Sequence, residues 1–140
     1  MLQPPHPKSP GLAAGVTDIM IHRLVHAFYA NVREDETLGP VFEAHVQNWE
    51  EHLEKMCAFW SSVTLLTGSY KGRPMDVHAR LPEISDELFQ RWLRLFGRAA
   101  REHCPAEAAQ LFIDRSERIA ESLKLGIAIR RQGNVHATAS

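Results

Sequence analysis

Cysteine is scarce in this chain. Only Cys57 and Cys104 occur, far apart and outside any Cys-x-x-Cys, which excludes a disulfide framework and a zinc knuckle and fits a reducing compartment. No apolar run approaches the ~18 residues of a membrane span, so no membrane contact is expected. The eight glycines are scattered, and neither a dinucleotide fingerprint nor a P-loop can be assembled from them. Charge of one sign is also missing: 16 Lys+Arg against 17 Asp+Glu leave a formal net charge of −1. Without a basic excess to displace counterions from phosphates, nucleic acid is not an expected partner. No internal repeat is visible.

What remains is an ordinary globular composition, 44% hydrophobic and 24% charged over 140 residues. A chain of this length forms one core and buries roughly 68–70% of its unfolded surface without staples. Pro4, Pro5, Pro7 and Pro10 crowd the start, with no apolar h-region. Residues 1–16 therefore read as a flexible tail and not as a signal peptide, and a cytoplasmic location is expected. A globular domain over 17–129 and a second flexible tail over 130–140 complete the expected division.

Helix signals dominate the rest. From Asp18 to Arg33, Ile19, Leu24, Val25, Phe28, Tyr29 and Val32 recur at three-to-four spacing, with Thr17 as N-cap. Leu38-Gly39-Pro40 is expected to break the chain, because proline pushes the preceding residue out of helical space. A second long helix is predicted from about Val46 to Leu66, with Val46, Trp49, Leu53, Met56, Phe59, Trp60 and Val63 on its stripe and Gly68 as its stop. Gly68, Gly72, Pro74 and Pro82 prevent a long helix in the next stretch and leave room for a short one around Met75–Leu81. Ser85 or Asp86 caps a third long helix carrying Leu88, Phe89, Trp92, Leu93, Leu95 and Phe96. Pro105 suits the first turn of a fourth, with Ala108, Leu111, Phe112, Ile119, Leu123 and Ile127 on its stripe. No period-two alternation appears, and the fold class is all-α.

Eight histidines are many for this length. His22 and His26 stand four apart on one helix face. That spacing can bind a metal only with partners, and a solvated or partly packed helix face is the favoured reading. No His-Glu-x-x-His, Glu-x-x-His or Cys-x-x-Cys-His occurs, which argues against zinc hydrolases, carboxylate di-iron bundles and covalent c-type haem. His6 and His136 fall in the tails, and His45 and His103 near helix ends. His52 lies on the apolar stripe, where a polar ring needs a hydrogen bond or a ligand. His78 lies on the segment fenced by Gly72, Pro74 and Pro82. Spacing leaves each of these two as either a satisfied core histidine or a ligand. The aromatics Phe28, Phe42, Phe59, Trp60, Phe89, Trp92 and Phe96 fit a plain core and also a flat, apolar, metal-bearing cofactor.

Five segments resemble a known family in the right order. They are Phe28-Tyr29-Ala30-Asn31-Val32-Arg33-Glu34-Asp35 with Leu38-Gly39-Pro40-Val41-Phe42; Trp49-Glu50-Glu51-His52-Leu53 with Met56, Phe59-Trp60-Ser61-Ser62-Val63; Gly68 to Met75 leading to His78 and Leu81-Pro82; Phe89 to Phe96; and Ile119-Ala120-Glu121-Ser122-Leu123. Together, over about Asp18 to Ile127, the chain resembles the group III truncated haemoglobins. The resemblance implies a two-over-two helical sandwich around a non-covalent haem b, with His78 as the proximal iron ligand. It implies Tyr29, His52 and Trp92 as the polar distal set, which would be the catalytic residues of any reaction there. Phe42 would pack on the haem face and Lys55 would reach a propionate. Leu53, Met56, Phe59, Tyr70, Met75, Leu81 and Ile119 would line the cofactor. One departure is Leu88, where a histidine is expected before Phe89. The implied ligands are O₂, CO, NO or peroxide, bound for NO or peroxide detoxification with a separate reductase, or for O₂ sensing or storage without turnover. A haem-free helical interaction module is the alternative from another class.

Overall fold

Thr17 begins the first long helix as expected: its hydroxyl accepts from the Met20 amide at 3.2 Å, and Asp18 sits in the first turn, where it suits the helix dipole. The computed structural model describes residues 3–73 and 85–139, with side chains described as far as 132. The helices there are α1 (Pro10–Ala13), α2 (Asp18–Glu34), α3 (Leu38–His45), α4 (Trp49–Leu65), α5 (Asp86–His103) and α6 (Ala106–Ala139). There is no strand among the described residues. No helix among them is long and apolar enough to cross a membrane. The expected short helix around Met75–Leu81, with His78 in it, lies outside the described residues.

Periodicity selects the buried faces. On α2 the buried residues are Ile21, Leu24, Val25, Phe28, Tyr29 and Val32, while Ile19, expected on the stripe, is 68% exposed. Ile19 follows the first helical residue, before the helix has turned its face inward. Ser85 caps α5 by accepting from the Leu88 amide at 3.3 Å. The α5–α6 pair has the most extensive contact, and α2 packs on both α4 and α5. The result is two helix pairs, α2 with α4 and α5 with α6, joined across one core. At its centre Phe96, fully buried, lies parallel to Trp92 (5.2 Å, 1°) and to Trp60 (4.8 Å, 13°), with Phe28 edge-on at 5.2 Å. A second cluster at the far end joins Phe89, Ala120, Leu123 and Ile127.

Two expectations change, the break at Pro40 and the bounds of α4. Pro40 does not break the chain, because it occupies the first turn of α3, where its missing N–H has no helical partner to lose. α4 starts at Trp49, three residues later than expected, because Asn48 takes the cap and accepts from the Glu51 amide at 3.1 Å. It ends one residue early, with Leu66 in the left-handed region at φ 52° ahead of Gly68. Near the start of the chain the His6 amide donates to the Leu65 carbonyl at 2.9 Å, Ser9 and Gly11 are buried, and α1 packs on α4. Gly11 permits this approach, since a Cβ there would stand 2.5 Å from the Thr64 carbonyl oxygen. At the other end, the backbone over 130–139 continues α6 as helix.

Asp35 ties α2, α3 and α5 together. Its carboxylate accepts from the amides of Thr37 (3.1 Å) and Leu38 (2.8 Å) and from Arg91 Nε (2.7 Å). The Arg91 hydrogen bond, with the two amides, holds the carboxyl down at about 2. A depressed pKa stabilises the fold fully above the ordinary carboxylate value and loses that contribution as pH falls from about 4 to about 2. Asp35→Asn is expected to cost about 2 kcal/mol at neutral pH. It is also expected to flatten the acid limb of a urea-stability profile below pH 4. An acid limb like that of the parent protein would contradict the role.

Candidate functional site

Two of the expected distal residues, Tyr29 and His52, and the expected haem-face residue Phe42 come from three helices. Tyr29 is in the last third of α2 because the Ile21–Leu24–Phe28 repeat turns that face inward. Phe42 is on α3, swung into place by the Asp35 cap. His52 is in the first turns of α4, closer to its start than to its middle, because Asn48 sets the boundary. The Tyr29 and His52 rings meet edge-on at 5.0 Å, and Phe42 stands 5.7 Å from Tyr29 and 6.2 Å from His52. The three residues thus form one contact set.

Trp92 joins this set through Phe28. On α5 it meets Phe28 edge-on at 5.4 Å, and Phe28 meets Tyr29 at 4.8 Å. Tyr29 is 5% exposed, and burial alone raises its phenol pKa, so it stays a protonated donor at every ordinary pH.

Trp49 belongs with these residues too, although its stripe position suggests no role. Its ring lies 5.5 Å from His52, 6.0 Å from Tyr29 and 6.4 Å from Phe42, under the Arg33 guanidinium at 4.5 Å. Its indole Nε1 is buried with no hydrogen-bond partner among the described residues, a cost that a core position alone does not explain. The sequence signals for it were its place in the Trp49–Leu53 segment that carries the resemblance and its position three residues before His52, on the same helix face.

Leu53, Met56 and Phe59 follow along α4 and are half-buried, as is Trp92 on α5, whereas Trp60 and Leu65 farther along α4 are buried. Phe59 meets Tyr70 edge-on at 5.2 Å, and the Tyr70 amide donates to Ser62 Oγ at 2.8 Å. Burial raises the Tyr70 pKa and the charge of Lys55 opposes this, so Lys55 lies on the Tyr70 side of α4. Lys55 itself is exposed and pairs with Glu51 at 3.2 Å. Ile119 on α6 is half-buried and packs against both core clusters. Met75, His78 and Leu81 lie outside the described residues. A shallow recess lined by Asn31, Glu34, Asp35, Leu95, Arg98 and Glu102 shares no residue with this set.

No family model matches the chain. It is 34% identical over 104 residues to the group 3 truncated hemoglobin ctb of Campylobacter jejuni, covering 71% of this chain and 82% of that protein. Its fold is similar to the crystal structure of group III truncated hemoglobin from Campylobacter jejuni, with a TM-score of 0.76 and 30% identity over 80% of this chain and 91% of that one. The helical fold is accordingly that of a truncated globin. Within that class, the chain belongs to the group III truncated haemoglobins.

Proposed function

We propose that this protein binds a b-type haem without a covalent link and uses it to bind O₂ and other small diatomic ligands. The observation that carries the reading is the convergence of Tyr29, His52 and Phe42, from three separate helices, beside the buried indole Nε1 of Trp49, in a chain of this family. The fit to a flat apolar group is supported by the half-buried stripe of Leu53, Met56 and Phe59 along α4, which packs against the same core as Trp92 on α5. In this reading His78 holds the iron. Phe42, Leu53, Met56, Phe59, Tyr70, Met75, Leu81, Trp92 and Ile119 line the group, and Lys55 exchanges Glu51 for a propionate.

When bound, the haem supplies an iron centre that takes up O₂, CO or NO reversibly. The chain's own part is to surround that ligand with donors and apolar walls. Tyr29 presents a hydroxyl that burial keeps protonated, Trp92 an indole N–H, and His52 an imidazole N–H in the appropriate tautomer. A net hydrogen bond of about 0.5–1.5 kcal/mol slows ligand escape roughly two- to tenfold per donor. Tyr29→Phe and Trp92→Phe are therefore each expected to speed O₂ release by that factor in flash-photolysis or stopped-flow traces. Unchanged release in both variants removes the donor set. Visible spectra of the purified protein, oxidised, reduced and with CO, test haem binding itself, and absence of a Soret band after expression with haem supply overturns it.

The polar character of Tyr29 and His52 also supports a second reading, detoxification of NO or peroxide with a separate reductase as electron donor. Catalytic NO consumption that appears only with a reductase present is the expected result. Slow autoxidation without turnover assigns the protein to O₂ sensing or storage.

A further inference from the structure

His22, His26 and Cys57 come together where α2 packs on α4, with both imidazoles exposed. Their candidate ligand atoms all lie within 4.8 Å of one another. The two imidazoles are one turn apart on α2 and stack at 4.0 Å with 28° between their planes. Cys57 approaches from α4, half-buried and free of any disulfide. Cys57 also packs against the core, and the proposed haem function uses none of the three.

We propose that these residues form a second metal site for a thiophilic d¹⁰ cation of the zinc class, with three protein ligands and an open fourth position. Two imidazoles and a thiolate suit Zn(II), which takes N and S ligands tetrahedrally at ~2.0–2.3 Å. Tetrahedral ligands at those lengths stand about 3.3–3.8 Å apart. His22 and His26 are exposed, and small rotations of their side chains close the difference from 4.8 Å. Asp18 and Glu54 lie near enough to act on Cys57 by charge and add negative potential that attracts a cation. Burial and these carboxylates push the free thiol up to about 11, so cation binding releases its proton to solvent as the S–Zn bond forms. The cation would cross-link α2 to α4, the two helices that carry Tyr29 and His52. The proposal does not depend on haem binding.

The test is titration of the full-length protein with zinc chloride, with and without bound haem, by calorimetry and by competition with a chromophoric chelator. One zinc per chain is expected. Cys57→Ser and the double variant His22→Ala/His26→Ala are each expected to weaken binding at least tenfold, with His103→Ala unchanged. Cobalt(II) difference spectra should show a sulfur-to-cobalt charge-transfer band that is absent in Cys57→Ser. Zinc should raise the thermal midpoint of the parent protein and not of the two site variants. Because both histidines are exposed, the double variant keeps the fold, which far-UV dichroism checks. No zinc uptake, or uptake that Cys57→Ser leaves intact, overturns the proposal.

Discussion

His78→Gly is expected to abolish the Soret absorbance of the purified protein, or to reduce it to a weakly held residue that apomyoglobin strips within minutes. In the proposed function this side chain is the protein's iron ligand, and a non-covalent haem without one is retained by apolar contact alone. Loss of haem by itself does not separate a missing ligand from a damaged fold. Added imidazole does: it restores the missing nitrogen and should recover a large part of the absorbance in His78→Gly. His52→Ala should keep bound haem throughout. Retained haem in His78→Gly together with loss in His52→Ala exchanges the two roles. Loss in both, without imidazole rescue, removes the assignment.

Phe96→Ala is expected to destabilise the fold by about 3–5 kcal/mol, a large share of the stability of a domain of this size. Phe96 is fully buried and sandwiched between the Trp92 and Trp60 rings, with Phe28 and Phe112 against its edges. Its removal leaves a cavity that three helices and the end of α2 border. Rigid aromatic neighbours relax poorly into such a space, which places the cost toward the top of the range. Urea unfolding should show the midpoint fall with little change in slope, and the thermal midpoint should drop by roughly 10–15 °C. Ile19→Ala is the control, because that side chain is 68% exposed and should change stability by less than about 0.5 kcal/mol. A Phe96→Ala loss as small as that of the control would mean that the aromatic stack is not the centre of the core. The same variant should also disturb ligand kinetics, since Trp92 rests on Phe96 with parallel rings.

Three long helices were legible because their signals are local. Thr17 and Ser85 are caps defined by a hydroxyl and an amide three residues on, and the buried faces of α2, α5 and α6 follow from a 3.6-residue period. The α3 boundary was misread for a local reason as well. Proline excludes the residue before it from most helical positions, yet the first turn of a helix tolerates both. Distances between helices are another matter. The Asp35–Arg91 pair joins residues 56 apart in the chain, and neither residue carries a mark of the other.

By itself the sequence determined the all-α class, the periodic faces, and the five ordered segments that match one family. Each of these depends on residues within a few turns of one another or on a pattern shared with relatives. The tertiary structure alone decided that Tyr29, His52, Phe42 and Trp49 meet, that Trp92 reaches them through Phe28, and that Lys55 pairs with Glu51. It also turned His22 and His26, ambiguous as a pair on one helix, into a three-residue cluster by bringing Cys57 across from α4. The reason is the same in each case. A helical period states which face of a helix turns inward, but the crossing of two packed helices chooses which residues on those faces touch.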